Sequence, residues 1–101
     1  MNIAIVALAK NEEFYIEEWL NYYRKLGVSK FYIFDNNEVG NNDLQELLKN
    51  VYDVELIDIR GRTKLEEMDF QHGCYKFAYD KYSSQFDYIG FFDIDEFLYL
   101  C

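Results

Sequence analysis

Proline is absent from this 101-residue chain, so its turns fall to glycine, asparagine and aspartate. The two cysteines, Cys74 and Cys101, make no C-x-x-C pair and no disulfide framework, and a reducing compartment is the default. His72 is the single histidine, and without a second histidine or cysteine at ligand spacing the sequence does not support a zinc site. Basic side chains are scarce too: 10 Lys+Arg stand against 19 Asp+Glu, for a formal net charge of −9. Residues 1–50 carry 5 basic and 8 acidic side chains, and residues 51–101 carry 5 and 11. A nucleic-acid reader needs a basic patch to neutralise phosphates, so DNA, RNA and anionic lipid are disfavoured as partners. No apolar run approaches the ~18 residues of a membrane span. The apolar start, residues 2–9, lacks a positive leader and runs straight into Lys10-Asn11-Glu12-Glu13, which suits a buried strand better than a signal peptide. The expectation is a soluble, cytoplasmic chain.

Half of the residues are hydrophobic, enough for a core despite the charge, and the length allows one domain over residues 1–101. The pattern alternates strand and helix. Residues 2–9 form an unbroken apolar run of the kind that fits a parallel strand covered on both faces. A helix is expected over residues 12–26, with Ile16, Trp19, Leu20, Tyr23 and Leu26 on one face and Gly27 closing it. Strand two is Phe31-Tyr32-Ile33-Phe34, helix two spans residues 43–50, and strand three spans residues 54–59. A third helix from about residue 69 would stack Phe70, Cys74, Phe77, Ala78 and Lys81, and a last strand covers residues 88–92. This βαβαβαβ order predicts an α/β fold built on a mainly parallel sheet with right-handed crossovers.

Such sheets bind ligands in the crevice beyond the carboxyl ends of their strands. Three polar segments follow apolar strands here: Lys10-Asn11-Glu12, Asp35-Asn36-Asn37 and Asp93-Ile94-Asp95. Asp93 and Asp95 are two apart, so in an extended segment they point the same way. Two carboxylates so placed make an oxygen-rich site for Mn²⁺ or Mg²⁺ bridging a diphosphate, which would also let an acidic protein hold a phosphorylated ligand. Asp35 either accepts hydrogen bonds from a base or ribose, with Asn36 and Asn37 around it, or simply starts a turn. Asn11 and Glu12 serve a helix N-terminus whether or not a ligand is present. Arg60, Arg62 and Lys64 form the only local basic cluster, able to meet phosphates but of a kind usually solvated.

These residues carry a resemblance. Lys10-Asn11-Glu12 after an apolar strand, then Glu17-Glu18-Trp19-Leu20, Tyr23 and Leu26-Gly27-Val28, resembles the opening of glycosyltransferase family 2-like and family 92-like domains. Phe31-Tyr32-Ile33-Phe34-Asp35-Asn36 and Phe91-Phe92-Asp93-Ile94-Asp95-Glu96-Phe97-Leu98 resemble later blocks of the same families, in register to about residue 100. The resemblance implies the N-terminal half of a nucleotide-diphospho-sugar transferase fold of the GT-A-like kind. By it, Asp35 contacts the nucleoside of a UDP-sugar, while Ala9, Asn11 and Glu12 line the same pocket. Asp93 would face the ribose or a metal-bound water, Asp95 would ligate Mn²⁺ or Mg²⁺, and Gln71 and His72 match polar positions near the nucleotide more loosely. The implied reaction moves a sugar from the nucleotide to an acceptor hydroxyl on a saccharide or lipid-linked molecule, with inversion. In relatives the acceptor site and general base come later than the position of Cys101, so the chain is expected to be a piece that lacks its base.

Phe91-Phe92-Asp93-Ile94-Asp95 also resembles the D-x-D of haloacid-dehalogenase-like phosphatases, but those place it after the first strand and do not follow it with Glu-Phe. A dinucleotide-binding dehydrogenase is a weaker reading still, because no G-x-G-x-x-G follows strand one. The remaining alternative to an enzyme is a chain that binds a nucleotide sugar, or another polypeptide, without turnover.

Overall fold

The computed structural model describes residues 2–10, 16–61 and 70–92, the side chains of 70–72 excepted. Strand β1 (Ile3–Ala9) is followed by helix α1 (Ile16–Lys25), β2 (Lys30–Asp35), α2 (Asp43–Leu48), β3 (Val54–Asp58), α3 (Phe70–Tyr82), a 3₁₀ turn (Ser83–Gln85) and β4 (Tyr88–Phe91). The four strands form one sheet in the order β3-β2-β1-β4, and every neighbouring pair is parallel. The expected α/β class and parallel sheet are therefore present.

Alternation along the strands assigns the two faces. Ile5, Ala7, Ala9, Phe31 and Ile33 pack with Ile16, Trp19, Leu20 and Tyr23 of α1 and with Leu44 and Leu48 of α2. Ala4, Val6, Tyr32 and Phe34 pack with Cys74, Ala78 and Tyr82 of α3. Both faces of β1 and β2 are thus covered, which is why their sequences read as continuous apolar runs. The helices sit on opposite faces because the chain first steps outward from β1 to β2 and β3, then returns to the other side of β1 with β4.

The ends of the helices differ from the sequence expectation in instructive ways. Leu26 is outside α1 and partly exposed. There Gly27 takes φ +102°, its N–H reaches Arg24 O at 3.1 Å, and Val28 N–H reaches Tyr23 O at 3.1 Å. Those paired bonds turn the chain out of the helix before Leu26 can join the apolar face. In α3 the buried stripe is Cys74, Ala78 and Tyr82, while Lys81 is exposed with its ammonium 5.4 Å from the centres of the Phe77 and Tyr82 rings.

Tyr82 anchors α3 to the sheet. Its ring stacks on Tyr32 at 3.8 Å, and its hydroxyl donates to Glu55 Oε2 of β3 at 2.6 Å. Burial and that hydrogen bond push the Tyr82 hydroxyl well above the ordinary tyrosine range. Tyr82→Phe keeps the stack and deletes the bond, so it is expected to lower stability by about 1 kcal/mol. Urea unfolding checks this: the midpoint should fall with the slope unchanged, and an unmoved midpoint would mean the bond contributes nothing net.

Candidate functional site at the carboxyl ends of the strands

The register places three strand ends level with one another, Ala9 beside Asp35 and Asp35 beside Asp58. Asn36 extends the ladder by one bond, its N–H donating to Ala9 O at 2.9 Å, and Ile59 N–H donates to Asp35 O at 3.1 Å. Asp35 is therefore held by backbone on both sides, and its side chain is fully buried.

That burial leaves a polar atom exposed to nothing. Asp35 Oδ1 accepts the N–H of Asn37 at 3.1 Å, the local turn that an Asp-Asn-Asn run favours. Asp35 Oδ2 has no hydrogen-bond partner among the described residues. Arg60 Nε lies 3.8 Å from it, an ion pair too long for a hydrogen bond. Burial pushes the Asp35 carboxyl above the usual carboxylate range, the Asn37 backbone N–H, the Arg60 charge and the Asn37 side chain pull it back in part, and Asp58 pushes it further up. The turn and the ligand-contact readings of Asp35 are compatible: one oxygen makes the turn and the other, though buried, lacks a hydrogen-bond donor among the described residues.

Arg60 is the residue that sequence reasoning undervalued. Nε and Nη2 donate side-on to Asp58 Oδ1 and Oδ2 at 3.0 Å each. Nη1 donates to Asn41 O at 2.9 Å and to Asn42 Oδ1 at 2.7 Å. The fork, with the Arg60 backbone N–H, holds the Asp58 carboxyl down to about 2. A signal was available in Asp58-x-Arg60, which repeats at the end of β3 the two-residue spacing that drew attention to Asp93 and Asp95.

Of the residues singled out from sequence, Ala9, Asp35 and Asn36 are brought together by these three strand ends. Asn11, Glu12, Asp93 and Asp95 lie outside the described residues, as do the side chains of Gln71 and His72 on α3. Strand β4, which leads to Asp93, ends beside β1, with Phe91 paired to Val6 and Phe92 N–H donating to Val6 O at 3.1 Å. β1 is thus where the strand order reverses, and open parallel sheets bind ligands at such a switch point. Among the described residues no three His, Cys, Asp or Glu side chains gather to hold a metal.

The sequence pattern of Glycosyltransferase family 92 matches residues 5–100. The chain belongs to glycosyltransferase family 92. A family 92 protein of Ricinus communis is 29% identical over 94 residues, covering 89% of this chain and 15% of the relative. A family 92 protein of Arabidopsis thaliana is 29% identical over 99 residues, with 96% and 16% covered. One of Oryza sativa subsp. japonica is 26% identical over 102 residues, with 97% and 16% covered. The chain therefore spans only about a sixth of the length of these curated relatives. No solved structure matches it. The family 92 match runs from β1 through β4 and takes in Asp35, Arg60 and the Asp93-Ile94-Asp95 triplet.

Proposed function

We propose that this family 92 chain forms the nucleotide-sugar side of a glycosyltransferase, with a UDP-sugar as donor. The observation that carries the reading is Asp35: a fully buried carboxylate at a strand end beside the switch point, with Oδ2 lacking a donor among the described residues. A buried acceptor without a partner costs on the order of 1–3 kcal/mol, and an N–H of a base or an O–H of ribose would complete it. Ala9 and Asn36 border the same strand ends.

On this reading the diphosphate is held through a metal ion at Asp93 and Asp95. Asp93 and Asp95 supply hard oxygen donors at the spacing that suits Mn²⁺ or Mg²⁺, whereas Asp35 and Asp58 already face the Arg60 cation. The ion, when bound, would neutralise the charge that develops on the leaving diphosphate. The sugar would pass with inversion to a hydroxyl of a saccharide or lipid-linked acceptor. That step needs a base within hydrogen-bond reach of the acceptor oxygen, and no residue of this chain is assigned to it.

Calorimetric titration of UDP with and without Mn²⁺, into wild type and Asp95→Ala, tests the reading. Binding should require the ion and weaken at least about tenfold in Asp95→Ala. No binding by folded wild type, or binding indifferent to Mn²⁺ and Asp95, would overturn it.

A further inference from the structure

We propose that Arg60 is a positioning residue for the Asp35 pocket: its guanidinium latches the loop of residues 36–42 to the end of β3, and the latch, not contact with the ligand, is what it contributes to nucleotide binding. The inference rests on the donor-site reading above and extends it to a residue outside the pocket.

The donor inventory of the guanidinium carries the argument. Arginine offers five N–H groups in a fixed fork. Four bonds leave the Arg60 side chain, two to Asp58 and two to the loop at Asn41 O and Asn42 Oδ1. One Nη2 N–H is left over, so a phosphate could take a single bond here but could grip the fork side-on only by displacing the others. Asp58 is fixed in turn by the Arg60 backbone N–H at 3.0 Å and by Gln45 of α2.

The loop side is equally specific. Asn42 precedes α2 in the capping position, yet its side chain makes no cap bond. Asn41 Oδ1 instead accepts Asp43 N–H at 3.0 Å, which leaves Asn42 Oδ1 for Arg60. The same loop has a second seat on the β3 end. Gly61 has φ +80°, and a β-carbon there would lie 2.8 Å from Val39 Cγ2. Residues 36–42 are therefore pinned at Asn41–Asn42 and rest on Gly61 at Val39, while their first residues form the turn that holds Asp35 Oδ1. Whatever lets this loop shift changes the surroundings of Asp35.

Lysine separates a latch from a charge. It keeps the positive charge but, as a compact ammonium, cannot take Asp58 side-on while reaching both Asn41 and Asn42. The experiment uses Arg60→Lys, Asn42→Ala and the double variant, with two readouts: UDP–Mn²⁺ affinity by calorimetry and amide hydrogen exchange over residues 36–42. Arg60→Lys should weaken UDP about tenfold, Asn42→Ala should weaken it less, and the double variant should match Arg60→Lys alone, because both act through one bond network. Exchange in residues 36–42 should quicken in both single variants while β1 and β2 stay protected.

Wild-type affinity in Arg60→Lys, or losses that add in the double variant, would overturn the latch. Unchanged loop exchange would overturn it as well. If wild type itself fails to bind UDP, the donor reading falls, and the exchange measurement still decides whether the loop is latched. Should Arg60→Lys unfold, Asn42→Ala alone must still quicken loop exchange, or the proposal fails.

Discussion

Arg24→Ala is expected to destabilise the fold by about 3 kcal/mol, because it strands a buried carboxylate. Asp53, in the connection to β3, has a side chain only 4% exposed, and Arg24 at the end of α1 grips it through Nε and Nη2 at 2.7 Å each. The Arg24 guanidinium also lies 5.9 Å from the centre of the Phe31 ring and donates to Asn21 Oδ1 at 3.0 Å. Alanine removes the fork, the ring contact and the helix clamp together, leaving the hydrogen bond from Asp53's own backbone N–H and the more distant charge of Lys30 to offset the carboxylate. The pair has a definite pH signature. Arg24 holds the Asp53 carboxyl below its ordinary value, so the contribution is present above the unfolded value of 3.8 and is lost as pH falls through the lower folded value. The gap between wild type and Arg24→Ala should therefore narrow in acid. Urea denaturation at neutral pH and near pH 3 measures both. A neutral-pH loss under about 1 kcal/mol would reduce the pair to an ordinary surface contact. A gap that widens in acid would reverse the assigned sign.

The Arg24–Asp53 pair also marks the boundary of what sequence can say about this fold. The apolar runs at β1 and β2 are unbroken because both faces are covered, so strand identity and parallel class were legible from those runs and from the strand–helix alternation. Trp19, Leu20 and Tyr23 likewise announced their shared face through spacing. Pairings between residues far apart left no such trace. Nothing local in Arg24 or Asp53, or in Tyr82 and Glu55, distinguishes a partner from a solvated charge, since the partnership is created by the register of distant segments. The site divides the same way. Asp35 was visible as a carboxylate closing an apolar strand, while the commitment of Arg60 to the loop depends on where Asn41 and Asn42 come to rest. A basic residue in a polar stretch reads as solvated until the chain folds back on it.

Asp35→Asn should make the protein more stable and a worse binder at once. The amide keeps the shape and retains an oxygen for Asn37 N–H, but removes the charge from a fully buried position. Relief of an incompletely paired buried carboxylate is expected to raise stability by about 1–2 kcal/mol at pH 7. The pH dependence follows from the sign of the shift. Burial raises the folded value above 3.8, so the folded state keeps its proton to higher pH than the unfolded chain does. The penalty is absent below 3.8, where both states are protonated, and sets in as pH rises through the folded value. The advantage of Asp35→Asn should accordingly be large at neutral pH and close in acid, opposite in direction to the folding contribution of Asp53. Binding should move the other way. An amide nitrogen where Oδ2 stood offers a donor to a ligand donor, and UDP–Mn²⁺ affinity should fall about a hundredfold. Thermal or urea unfolding across pH, with calorimetry on the same two proteins, reads both effects. A variant less stable than wild type at pH 7 would mean that Oδ2 is already satisfied within the folded chain, and a variant that binds UDP as wild type does would remove Asp35 from the nucleoside contact. The combined result, more stable and unable to bind, is what a carboxylate kept for a ligand's N–H or O–H requires, since the Arg60 charge at 3.8 Å does not supply the donor that Oδ2 lacks among the described residues.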